Sequence, residues 1–137
     1  MVNVRLSFQY KAGDIVFVDA TSGLDRSDVK LVHLVCPSPL GGLPLADMIL
    51  TREDEKTFTF GLKLLKSILP ANAFYGGGAD AGLRIFMTDD CDGERKSLAS
   101  VWAASILLLC VFHILQAMWS WLWEEIIKLS IYIDTNY

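Results

Sequence analysis

From Ser97 to Trp123 the chain carries no Lys, Arg, Asp or Glu. An uncharged run of that length has few fates, because about 20 apolar residues suffice to cross a bilayer. The same length also fits a buried strand followed by a helix. Residues 103–123 alone would span, with Trp119, Trp121 and Trp123 spaced like an interfacial aromatic belt. Arg95 and Lys96 before the run and Glu124 and Glu125 after it would leave the N-terminus on the cytoplasmic side. Against a span, His113 and Gln116 would sit near mid-membrane, where polar side chains are expensive. The chain is 53% hydrophobic with a mean hydropathy of +0.38, high for a soluble domain. Some apolar surface is therefore expected to meet a partner, lipid or a further part of the protein.

The segments around this run decide between the two fates. Residues 14–20 (DIVFVDA) are rich in β-branched residues and bounded by Gly13 and Ser22-Gly23, a buried-strand pattern carrying Asp19 near its end. After a polar turn at 24–28, residues 29–35 form a second strand. Residues 43–51 pair with it across a wide Pro- and Gly-containing connection at 37–42. His33 falls inside the strand pattern and reads as a packed or edge histidine rather than a ligand. Thr51 is the expected N-cap of a helix whose apolar positions Phe58, Leu62, Leu65 and Leu69 recur at helical spacing until Pro70. Residues 71–82 read as a loop. Its Gly76-Gly77-Gly78 lacks the Gly-Lys-Ser/Thr that a phosphate cradle needs.

Residues 83–88 (LRIFMT) form the next strand and end at Asp89-Asp90. Residues 91–100 suit a short helix, with Asp92 and Glu94 early and Arg95 and Lys96 later, as the helix dipole favours. Residues 105–111 then read as a strand and 114–129 as a helix. The order β-β-β-α-β-α-β-α predicts an α/β fold, a mixed sheet with helices on its faces. The 137 residues fit one domain. A net charge of −4 counts against a simple basic nucleic-acid-binding module, though not against an enzyme whose metal ions supply the positive charge. Cys36, Cys91 and Cys110 are odd in number and follow no disulfide framework, which points to a reduced intracellular chain. The N-terminus shows no signal-peptide pattern.

If the strands ending in Asp19 and Asp89 are neighbours, two carboxylates project from one sheet edge toward a common volume. Hard oxygen ligands in that arrangement suit Mg²⁺ or Mn²⁺. Paired ions of that kind activate a nucleophile and stabilise the entering and leaving oxygens of a phosphodiester.

VDATSGLDR, LPLADMILT, LLKSILP, FYGGG, IFMTDDCDGERKSL and LLLCVFHILQAMW, in this order over roughly residues 14–123, resemble the transposase domain of Mutator-like elements. The resemblance implies an RNase H-like fold with flanking helices, incomplete at the C-terminus, and a division into a lead-in (1–13), the domain (14–129) and a tail (130–137). It implies metal-dependent DNA cleavage and strand transfer, with Asp19 and Asp89 as catalytic carboxylates and ligands of Mg²⁺ or Mn²⁺. Asp90 is the alternative second acid. Cys110 and His113 match the family's Cys-x-x-His signature. Two ligands do not make a structural zinc site, so a packing or hydrogen-bonding role is expected of that pair. Transposon-end DNA is the implied partner, a homo-oligomer is admitted, and the implied location is the nucleus.

The chain also departs from the family. The family's third acid, a Glu, lies well beyond the second Asp, and Glu124 and Glu125 come too early to match it. Ala103-Ala104 stand where the family tends to place a Pro after the tryptophan. A fragment or decayed copy with little or no strand transfer is the resulting expectation. A single-pass span over about 103–123 and a non-catalytic interaction protein using Trp119, Trp121 and Trp123 are the alternatives.

Overall fold

Alternating apolar residues build the central strands in a computed structural model, which describes residues 2–4, 15–21, 29–39, 41–81 and 83–136. Strand β1 (Val2–Val4) lies at one edge, within the expected lead-in. Strands β2 (Ile15–Thr21), β3 (Lys30–Ser38) and β4 (Gly41–Leu50) follow as an antiparallel meander. Helix α1 (Glu55–Ile68) and two single-turn helices, α2 (Ala73–Gly76) and α3 (Gly78–Ala81), lead into β5 (Ile85–Thr88). Helix α4 (Asp92–Val101), β6 (Ile106–Leu109) and the long helix α5 (Val111–Asn136) complete the order. The six strands form one mixed sheet in the order β1-β4-β3-β2-β5-β6, with β5 parallel to β2 and β6 parallel to β5. The α/β class with a mixed sheet is therefore as expected.

Period-two alternation puts Val16 and Val18 of β2, Val32, Leu34 and Cys36 of β3, and Ala46, Met48 and Leu50 of β4 on one buried face. Phe58, Leu62 and Leu65 of α1 and Leu98 of α4 close over that face. Trp102, after α4, lies tilted against Phe86 with ring centroids 5.3 Å apart, and its indole N–H donates to the Ala79 carbonyl at 3.0 Å. The opposite face bears Phe17, Asp19, His33 and Asp47, all at least partly accessible.

Several boundaries differ from expectation. Asp54, not Thr51, caps α1, because its carboxylate accepts from both the amide (2.9 Å) and the hydroxyl (3.1 Å) of Thr57. The β3–β4 turn is tight rather than wide, with Ser38 paired directly to Gly41 at φ +112°. Pro44 is accommodated where the register shifts between Leu34 and Val35, beyond the reach of β1. Residues 71–82 are not a plain loop, since α2 and α3 lie within them. Helix α5 runs to Asn136, through the expected tail. The polar turn at 24–28 lies outside the described residues.

Residues 103–123 do not form a single span. They divide into a turn, β6 and the first half of α5. No helix among the described residues is long and apolar enough to cross a membrane.

Candidate metal-binding site

The parallel β2–β5 pairing carries the site. Ile15, Val16 and Phe17 pair with Ile85, Phe86 and Met87 in that register. Two residues further along both chains, the same register brings Asp19 and Asp89 to the same end of the sheet. Asp19 is exposed and Asp89 half-buried.

Asp89 is held where β5 gives way to α4. Its Oδ1 accepts the Cys91 amide at 2.9 Å, satisfying a free N–H at the helix start. The Thr88 hydroxyl, itself buried, donates to the Asp89 carbonyl at 2.8 Å. The alternative second acid, Asp90, is exposed and paired with Arg95 at 3.2 Å. The two acids thus face different tasks: Asp89 is fixed by the backbone beside β2, whereas Asp90 is tied to a surface guanidinium.

Cys110 and His113 stand at the β6–α5 junction, where the Cys110 amide donates to the Thr88 carbonyl at 2.7 Å. They line a cleft of about 480 Å³ together with Asp89, Asp90, Ile114 and Met118. His113 turns its Nε2 toward Asp19 Oδ1 at 3.7 Å, longer than a hydrogen bond, while its buried Nδ1 has no hydrogen-bond partner. His113 therefore belongs to the same surroundings as the two aspartates. Among the described residues no three His, Cys, Asp or Glu side chains converge to hold a metal ion, so the Cys-x-x-His pair acquires no further zinc ligand. His33, by contrast, bonds Asp47 across β3 and β4 at 2.8 Å, as a partly packed strand histidine does.

One residue of this region was not singled out from the sequence. Glu94, in the first turn of α4, is 1% exposed, and neither of its carboxylate oxygens has a hydrogen-bond partner. Burial raises its pKa to about 8, with further contributions from the negative charges of Asp89, Asp19 and Glu53. A signal for it was present: Glu94 is spaced with Ser97, Leu98 and Val101 along the stripe of α4 that is buried.

Asp19 and Asp89 offer hard oxygen donors. Mg²⁺ characteristically keeps several waters and takes one or two carboxylates from its protein. Asp19 and Asp89 are two carboxylates at one end of the sheet, and the acids around them concentrate negative potential. No protein-family model matches the chain, and no curated protein or solved structure matches it.

Proposed function

We propose that this chain is a transposase-derived, RNase H-like domain whose Asp19 and Asp89 hold Mg²⁺ or Mn²⁺ for phosphodiester chemistry on DNA. The observation that carries the proposal is the parallel β2–β5 register, which, continued two residues past the Phe17–Met87 pair, sets Asp19 in β2 beside Asp89 just after β5. The strand order supports it as well. A three-strand antiparallel meander extended by two parallel strands, with α1 and α4 in the crossovers, is the arrangement an RNase H-like sheet requires.

A bound cation would supply Lewis acidity and activation of a water or hydroxyl nucleophile. The chain's own contribution is placement. Asp89 is oriented by the Cys91 amide, and His113 stands beside Asp19 where a substrate group could be positioned. With a net charge of −4 and acids clustered here, a polyanionic substrate approaches only when cations offset the repulsion. With two carboxylates assigned, strand transfer is expected to be little or none.

Isothermal calorimetry with Mn²⁺ tests the site. The wild-type chain is expected to bind the ion, and Asp19→Asn and Asp89→Asn are each expected to weaken binding by about tenfold or more. Unchanged affinity in both variants would remove the assignment. Supercoiled plasmid incubated with Mn²⁺ then reports on the chemistry: any nicking should disappear with Asp19→Ala, and robust nicking that survives that change counts against the site.

The exposed aromatic residues of α5 favour a second reading. Trp119, Trp121 and Trp123 are each more than half exposed, and aromatic side chains are enriched at protein interfaces. A non-catalytic interaction protein of the same fold would bind a partner through α5 and remain indifferent to Asp89→Asn. Light scattering on the purified chain, with Trp119→Ser and Trp123→Ser as comparison, separates an α5 assembly from a monomer.

A further inference from the structure

We propose that α5 is the interface between two copies of this chain, paired along a seam of Phe112, Leu115, Trp119, Leu122, Ile126 and Leu129. The inference rests on the reading of α5 as an interaction surface and names its partner. It does not depend on the cation site.

The seam begins as a pattern in the sequence. The six apolar residues follow one another at steps of three, four, three, four and three. An α-helix turns once in about 3.6 residues, so this alternation keeps them on one stripe that a twin helix can follow by gentle supercoiling. Leu115, Leu122 and Leu129 recur at every seventh residue, with Ile126 between the last two. Leucine and isoleucine in those alternate places favour two-stranded pairing. Helical periodicity puts Ser120, Glu124 and Lys128 on the opposite side. The seam itself holds no charge, so two copies meet along it without like-charge repulsion.

The structure leaves this stripe bare. All six seam residues are exposed, from 43% at Leu122 to 69% at Trp119. No strand or helix among the described residues packs extensively against α5. Helices in folded proteins draw most of their stability from burying an apolar face, and a 26-residue helix with its seam in water lacks that support. Along the seam runs a groove of about 530 Å³, lined by Phe112, Leu115, Gln116, Met118, Trp119 and Leu122. Paired helices insert each seam side chain into a hole between residues of the facing helix. Here the residues that would be inserted also form the hole. Such a surface suits a copy of itself, as two-fold interfaces are self-complementary.

The exposed area agrees. The Phe112 and Trp119 rings alone leave roughly 200–300 Å² bare, and the four aliphatic residues enlarge that patch beyond what a soluble monomer ordinarily shows. Two such stripes together reach the roughly 1,200 Å² at which specific, stable interfaces begin. Ile114 and Ala117, which line the cleft beside Asp89, lie on a different side of the helix, so the seam does not draw on that cleft.

Analytical ultracentrifugation of the full chain over a range of concentrations tests the pairing. The wild type is expected to sediment at twice the 15.2 kDa of one chain and to move toward that mass on dilution. Leu115→Glu with Leu122→Glu is expected to leave only the single chain, with folding verified by circular dichroism. Leu115→Ala with Leu122→Ala retains helix propensity and is expected to weaken the dimer about tenfold or more. It serves also if the glutamate pair fails to fold. Trp121→Ser, away from the seam, is expected to leave the dimer intact. A wild-type chain that stays single at every concentration overturns the second copy as the partner, while α5 remains available to a different protein. A dimer lost in Trp121→Ser but kept in the seam variants overturns the seam and retains α5 as the interface. A dimer indifferent to all of these changes overturns the α5 reading itself, and assemblies larger than two overturn two-stranded pairing.

Discussion

Glu94 makes the metal-free protein sensitive to pH in an unusual direction. Its carboxyl titrates near 4.5 when unfolded and is pushed up to about 8 in the fold. Below pH 4.5 both states hold the proton and the group is neutral in the balance. Between 4.5 and 8 the folded state keeps a proton that the unfolded state has released, so stability falls as pH rises. The slope approaches about 1.4 kcal/mol per pH unit from this one group. Urea unfolding in chelator between pH 5 and 8 is expected to show the decline in the wild type and to lose it in Glu94→Gln. An equal slope in both would contradict the account. Ser97 illustrates the opposite case, a buried hydroxyl with partners, and Ser97→Ala is expected to cost about 1–3 kcal/mol in the same assay. Asp19 and Asp89 stood out as acids closing apolar strand patterns, whereas His113 entered only through the family resemblance. Glu94 was not, because an acid in a first helical turn already has a sufficient explanation in the helix dipole. Only the packing of α4 against α1 and the sheet reveals that this one points inward.

At the scale of elements, the α1–α4 contact depends on backbone approaching backbone. A Cβ on Gly93 would meet the Glu55 amide nitrogen at 3.2 Å and the Glu53 carbonyl oxygen at 3.5 Å. Neither belongs to a side chain that can swing aside. Gly93→Ala sets this crowding against the gain of a better helix former, whereas Gly93→Val adds bulk without that gain and is expected to destabilise by about 1–3 kcal/mol. A melting temperature unchanged by Gly93→Val would show that α4 can shift away from α1. Elements with strong periodicity, such as α1 with Phe58, Leu62, Leu65 and Leu69, were legible from the chain alone. Residues 71–82 were not, because Gly76 and Gly78, at φ +85° and +77°, stand at the end of α2 and the start of α3, turns too short to show a period. Helix α5 ran past its expected end at 129 because no Gly or Pro follows Gly93 to stop it.

At the scale of the whole molecule, one feature joins fold and site: the parallel pairing of β2 with β5. A chain that begins as an antiparallel meander must cross over a face of the sheet to lay β5 beside β2, and α1 is the covering element that the crossover supplies. The class of fold followed from the order of strands and helices, but the order of strands in the sheet did not, because periodicity identifies elements and not their neighbours. The uncharged run that would have matched a membrane span is instead β6 at the sheet edge and the first half of α5. The central claim is that Asp19 and Asp89 share a cation across adjacent parallel strands. Paramagnetic broadening tests it most directly: sub-stoichiometric Mn²⁺ is added to the isotope-labelled chain and the amide resonances are followed. The account predicts that Asp19, Ala20 and residues 89–91 broaden first and together, and that Asp89→Asn abolishes the effect at all of them. Broadening that begins elsewhere, or that reaches one strand end without the other, would contradict it.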